Sequence, residues 1–167
     1  RRDSFVLAAA VGLIGITFGV FADTSGFSLA QASALSVLTF TGASQFAAVS
    51  VIGSGGNPVA AVVSGLLLAA RNSLYGPVVA PVLRVRRGRR AMAAQFVIDE
   101  TTAMMSAQDD PEAARDAFWF TGLWLFAFWN VGTVVGVLAG GFLEVPGAWG
   151  LDAAFPAAFV ALIVPHV

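Results

Sequence analysis

The sequence predicts an all-α, polytopic integral membrane helix bundle with broken or re-entrant helices. Of its 167 residues, 57% are hydrophobic and 11% are charged, whereas soluble domains carry about 25% charge. The mean hydropathy is +0.81. Four apolar stretches are each long enough to cross a hydrocarbon core of about 30 Å. They cover residues 5–22, 29–53, 58–83 and 117–143. These features exclude a water-soluble globular domain.

The first stretch follows Arg1 and Arg2 and could be mistaken for a signal peptide. However, no small-residue cleavage site closes it, and further apolar segments come after it. We therefore predict a spanning helix.

The second stretch is interrupted by a polar run that contains Thr41, Gly42, Ser44 and Gln45. If the helix opens there, the positive N-terminal end of a half-helix would face an anion such as an amino-acid carboxylate. The alternative is that these side chains only form hydrogen bonds between helices, each worth about 0.6 kcal/mol.

The third stretch carries Arg71 near its midpoint, where a cation costs roughly 2.5 to 3.5 kcal/mol on insertion scales. Such a residue needs a partner, and the candidates are Asp99, Glu100, Asp23 or the carboxylate of a substrate. Because Pro77 has no N–H, it predicts a break in this helix beside Arg71 and Asn72. The alternative is a permanent ion pair that fixes the helix register.

Residues 91–107 are too polar to face lipid all round, so we expect them to be interfacial, re-entrant or buried against other helices. Asp99 and Glu100 are adjacent, and on a helix they point about 100° apart. One could pair with Arg71 while the other binds an ammonium group or a proton. The alternative is a solvated interfacial pair. Residues 106–116 and 144–152 are expected to be connecting loops.

Five arginines lie between Arg84 and Arg90, which places this loop in the cytoplasm by the positive-inside rule. Three full crossings would then separate it from Arg1 and Arg2. Either the N-terminus is outside, or one of the three stretches does not cross the membrane fully. The second stretch is the best candidate for this, because a polar run interrupts it. Gly15 and Gly19, like the series Gly132, Gly136 and Gly140, are spaced for close helix packing.

The chain has no Cys and one His, and it lacks the HExxH and GxSxG motifs, so we expect no metal, cofactor or enzymatic activity. Topology and anionic lipid explain the arginine loop better than nucleic acid does. We interpret residues 1–167 as a single transmembrane permease domain, incomplete at both ends, because the apolar run from residue 153 is too short to span.

The run Phe40-Thr41-Gly42-Ala43-Ser44-Gln45-Phe46, the stretch from Arg71 through Tyr75 to Gly76 and Pro77, and Asp99-Glu100-Thr101 resemble the AzlC-type permeases. That resemblance implies a multi-pass protein of the bacterial inner membrane. It would export branched-chain amino acids, driven by the proton gradient, with a small AzlD-type membrane subunit.

Under this interpretation the substrate-binding residues are Arg71, Asn72, Thr41, Gly42, Ser44 and Gln45. Asp99 and Glu100 would couple protons or bind the ammonium group. A channel-like or structural membrane subunit is the alternative function, and self-association stays open.

Overall fold

The computed structural model describes residues 2–141. The apolar run from residue 153 and the loop 144–152 lie outside this range. Eight α-helices and no strands occur within it. The helices are α1 (Arg2–Thr24), α2 (Leu29–Leu38), α3 (Gly42–Gly53), α4 (Pro58–Ala69), α5 (Gly76–Leu83), α6 (Arg90–Gln95), α7 (Asp99–Ser106) and α8 (Pro111–Gly140).

Three segments of the described chain are long and apolar enough to cross a membrane: Arg2–Thr24, Pro58–Leu83 and Pro111–Gly140. The predicted loop 106–116 is wrong in part, because α8 already begins at Pro111 and not at residue 117. Proline has no N–H, and at the first helical position none is needed, so Pro111 fits there. The Asp110 carboxylate caps the helix by accepting a hydrogen bond from the Ala113 N–H at 2.8 Å. Asn57 and Pro58 start α4 in the same way.

The helices α1 and α8 run parallel and in contact along their length. Near the start of α1, the Thr121 hydroxyl of α8 donates to Ser4 Oγ at 2.8 Å. In the middle, a Cβ added to Gly15 would lie 2.9 Å from the Trp129 carbonyl oxygen. At the far end, Gly140 touches Asp23. The predicted glycine series therefore forms a close helix interface, as small residues at four-residue spacing allow.

The second apolar stretch does not cross the bundle. It forms a hairpin of α2 and α3, here called the first hairpin, that starts and ends where α1 ends. Ser36 of α2 lies 3.1 Å from the Thr133 hydroxyl at mid-bundle. The chain turns at residues 39–41, and α3 returns until Gly53 packs against Ser25. The predicted break is confirmed.

A second hairpin, formed by α6 and α7, enters from the opposite end. It starts after the arginine loop and returns to the start of α8. The tips of the two hairpins touch, since the Gln95 amide donates to the Val37 carbonyl at 2.8 Å and the rings of Phe40 and Phe96 lie 5.9 Å apart. Residues 91–107 are thus re-entrant and buried against other helices, two of the three arrangements expected.

This arrangement resolves the topology conflict. Because the first hairpin returns to its own end, Pro58–Leu83 makes the return crossing, and its last turn reaches the start of α8, where Arg115 donates to the Val82 carbonyl at 3.2 Å. Arg2, the arginines of residues 84–90 and Arg115 all lie at one end of the bundle, here called the arginine-rich end.

Candidate functional site

A cluster of charged and polar side chains lies where the third spanning segment changes its winding. Between α4 and α5 the backbone tightens into a 3-10 helix over Ala70–Tyr75. Pro77 cannot donate the N–H that a continuous α-helix would need at this point. The Arg71 guanidinium pairs with Asp99 Oδ2 at 2.7 Å, and the two side chains are 43% and 42% exposed.

Asp99 is held through both of its carboxylate oxygens. The Tyr75 hydroxyl donates to Oδ1 at 2.7 Å, while Arg71 takes Oδ2. Asp99 also begins α7, where the helix dipole favours a negative charge. Tyr75 was not among the predicted site residues, although its spacing of four residues from Arg71 on a helical segment was a usable signal.

Glu100 lies beside Asp99 but forms no ion pair within residues 2–141. The residue is half-buried. It belongs to α7, outside the three spanning segments. Desolvation raises the pKa of the Glu100 carboxyl above its ordinary value, and the negative charge of Asp99 raises it further. Unlike Asp99, which is bound by Arg71 and Tyr75, Glu100 is therefore an acidic side chain of this cluster that neither an arginine nor a tyrosine binds within residues 2–141.

The tip of the first hairpin is braced from α8. The Gln45 side-chain amide donates to the Thr39 carbonyl and accepts from the Trp129 indole N–H at 2.9 Å. Gly42 lies against the same indole, because an added Cβ would lie 2.9 Å from its Cη2 atom. Thr41 precedes α3 without forming a side-chain capping hydrogen bond. The first N–H groups of α3 therefore have no side-chain acceptor from their N-cap.

Within residues 2–141, three buried side-chain atoms have no hydrogen-bond partner: Ser44 Oγ, Asn72 Oδ1 and Thr102 Oγ1. Buried polar atoms are nearly always paired, so each of these is available to a ligand or water. Ser44 and Asn72 are predicted site residues, and they lie beside the two helix breaks. Thr102, in the first turn of α7, was not selected, because no motif distinguishes it from the neighbouring Thr101.

The structure brings together some of the predicted residues and not others. Arg71 meets Asp99, whereas Asp23 lies at the other end of the bundle beside Gly140. In the described part of the chain, no hydrogen bond or ion pair joins Arg71 to the run 41–45. The two groups are connected through the touching hairpin tips. Within residues 2–141, no group of three Asp, Glu or His side chains could hold a metal ion.

Comparison with known proteins gives one family match. The family model described as AzlC protein matches residues 6–143. An uncharacterized membrane protein of Archaeoglobus fulgidus is 31% identical, covering 98% of this chain and 73% of that protein. No solved structure gives a significant match.

Two further relatives have more informative names. Inner membrane protein YgaZ of Escherichia coli is 25% identical, over 98% of this chain and 70% of its own length. The branched-chain amino acid transport protein AzlC of Bacillus subtilis is 25% identical, over 90% of this chain and 60% of its own length. These matches and the three apolar spans support a membrane transport role.

Proposed function

This chain belongs to the AzlC family, and from that membership we propose that it exports branched-chain and related apolar amino acids across the bacterial inner membrane. We further propose that the proton gradient drives export and that a small AzlD-type membrane subunit takes part. The name of the Bacillus subtilis relative supports the substrate class. The observation that carries the proposal is the Arg71, Tyr75 and Asp99 cluster at the break in a spanning segment.

A zwitterion with an apolar side chain needs a receiver for its carboxylate. Arg71 has five N–H donors, and its pairing with Asp99 Oδ2 leaves donors for a second carboxylate. The first turn of α3 supplies further donors through its uncapped N–H groups and the unpaired Ser44 hydroxyl. Thr41 and Gly42 begin this turn, and Gln45 holds it in place through Trp129.

The ammonium group or the coupled proton needs an acidic side chain. Both carboxylate oxygens of Asp99 are already engaged, so Asp99 would have to release Arg71 or Tyr75 before it could bind the ammonium group or the proton. Glu100 carries no such ion pair within residues 2–141, and desolvation raises the pKa of its carboxyl, which supports it as the exchanging group. Asn72 would add its unpaired amide oxygen as an acceptor for the ammonium group.

The apolar side chain of the substrate needs a hydrophobic wall. Phe40, Phe46 and Trp129 are buried near the hairpin tips and suit this role. The positive-inside rule would place the arginine-rich end in the cytoplasm. The third span exposes many large apolar side chains, and these offer a surface to lipid or to the small subunit; they include Val59, Val62, Leu66, Leu67 and Leu74.

The test is efflux of preloaded Leu, Ile, Val and Met from cells that express the full-length protein, with and without the small subunit. We expect export that requires the subunit and stops when a protonophore is added. Efflux that is unsaturable and insensitive to the protonophore would indicate a channel instead. No efflux from well-expressed protein would refute the proposed substrates.

The site is tested in the same assay with Arg71→Ala and with Arg87→Ala as the matched control. Arg87 carries the same charge in the exposed loop, and within residues 2–141 it forms no ion pair or side-chain hydrogen bond with a site residue. We expect Arg71→Ala to abolish export and Arg87→Ala to retain it, at equal expression. Unchanged export by Arg71→Ala would exclude this residue from substrate binding.

A further inference from the structure

A cavity of about 400 Å³ lies at the arginine-rich end, between the end of α5, the arginine loop and the start of α8. Four arginines line it: Arg84, Arg86, Arg89 and Arg115. None of the described residues that line it is acidic. The cavity therefore concentrates positive charge on a small volume.

Within residues 2–141, no acidic side chain forms an ion pair with these four cations. Arg84 and Arg115 each donate to a backbone carbonyl, of Pro81 and Val82 respectively. Arg84 also has a φ of +47°, a left-handed conformation that is unfavourable for a residue with a Cβ. The fold thus keeps a strained arginine at the cavity wall.

The cavity continues into an apolar groove of about 340 Å³ between α5 and α6, and the two share Leu83, Arg84 and Val85. The groove runs towards the middle of the bundle. Arg90 is a charged residue of its lining, and the rest is mostly small and aliphatic, including Val79, Ala80, Ala93, Ala94 and Val97. Trp119, a residue type enriched at membrane interfaces, lies at the wall of the charged cavity.

We propose that the charged cavity and the adjoining groove bind one anionic phospholipid, with its phosphate among the arginines and an acyl chain in the groove. Guanidinium groups bind phosphate oxygens through paired hydrogen bonds. Basic pockets between transmembrane helices are a known setting for anionic headgroups. The apolar groove distinguishes a lipid from free phosphate, which has no chain to place there.

The same cavity suits an amino-acid substrate poorly. A zwitterion carries an ammonium group, and the four arginines that line the cavity, with no acidic residue among its described lining residues, would repel it. Topology accounts for the positive charge of the arginine loop, and a bound lipid would account in addition for the cavity that these arginines line.

Native mass spectrometry of the purified full-length protein in detergent tests this site. The probes are dioleoyl phosphatidylglycerol, dioleoyl phosphatidylcholine, and glycerol 3-phosphate, which carries the phosphate without acyl chains. We expect the phosphatidylglycerol to be retained about tenfold better than the phosphatidylcholine. Glycerol 3-phosphate at equal concentration should not displace it.

Variants separate the site from the general charge of the loop. Arg86→Gln and Arg89→Gln should each lower phosphatidylglycerol retention about tenfold. Arg87→Gln, the matched control, removes the same charge from the same loop at a position that lines neither cavity, and should change retention less than about twofold. Ala94→Trp should fill the groove and lower retention with all arginines present.

Three outcomes would overturn the proposal. An equal loss in Arg87→Gln would show diffuse attraction to the loop. Displacement of the lipid by glycerol 3-phosphate would indicate a phosphate site without an acyl chain. Displacement by leucine would make the cavity an entrance for the substrate.

Discussion

The interface between α1 and α8 gives a prediction whose size follows from the structure. Gly136 packs directly on the backbone of α1, so that an added Cβ would lie 2.9 Å from Gly19 Cα and closer still to the Ile16 carbonyl oxygen. Carbon atoms pack at about 3.5 to 4.0 Å, so Gly136→Ala must push the helices apart by about 1 Å. Only backbone faces the new methyl group, and no side-chain rotation can relieve the clash.

The cost of this substitution has two parts. Overpacking costs about 1 to 3 kcal/mol, and a rigid backbone neighbour places this site near the upper limit. A gap of about 1 Å would also forfeit up to half of the dispersion energy of the neighbouring contacts. We expect a loss of about 3 kcal/mol, which lowers the Tm by roughly 6 to 12 °C for a protein of this size.

Thermal unfolding of the purified full-length protein in detergent, followed by tryptophan fluorescence, measures this loss. Gly88→Ala is the matched control, because an added Cβ there meets no atom within 4 Å. It should leave the Tm within about 2 °C. If Gly136→Ala had the Tm of the wild type, the close approach of α1 and α8 would be wrong.

Three further predictions follow from the site and the topology. Arg71→Asp and Asp99→Arg should each abolish efflux, and the double variant with the charges exchanged should recover part of it. If efflux by the double variant were no higher than by the single variants, this would argue against the Arg71–Asp99 ion pair. In a cysteine-free background, Gly88→Cys and Ser54→Cys should react with an impermeant thiol reagent from opposite sides of the membrane, whereas labelling from one side would contradict the first hairpin. Because the pKa of Glu100 is raised in the folded protein, the free energy of unfolding should fall as the pH rises from 4.5 through that raised pKa. The resulting fall of the Tm with pH should be absent in Glu100→Gln, and an unchanged fall in this variant would show that another group titrates.

The sequence predicted the breaks in the helices more accurately than the helix ends. The breaks at the polar run 39–45 and at Pro77 were identified because polar groups and a missing N–H act locally, and the structure narrows the first to residues 39–41. The start of α8 was placed too late, because the charged residues after Asp110 look like a loop although they lie in a capped first turn. The polar composition of residues 91–107 left three arrangements open, and packing against α8 and the first hairpin decided among them.

The candidate site shows the same division. Arg71 was identified by its cost at membrane depth, and this is a property of one residue in one stretch. Its partner was one of four candidates, and only the fold could select Asp99, since the second hairpin carries it to the third span. Tyr75 and Thr102 were missed because their importance lies in contacts, or in the absence of a partner, which a linear pattern does not contain.

The sequence by itself determined that this is a helical membrane protein, where its apolar segments lie, and that its arginines gather in one loop. Hydrophobicity, proline geometry and charge are local properties, so they can be read along the chain. Only the tertiary structure decided that the second stretch turns back, that α1 and α8 run parallel, and that both hairpin tips meet beside Arg71. These features depend on contacts between distant segments, and several arrangements bury the same apolar surface equally well.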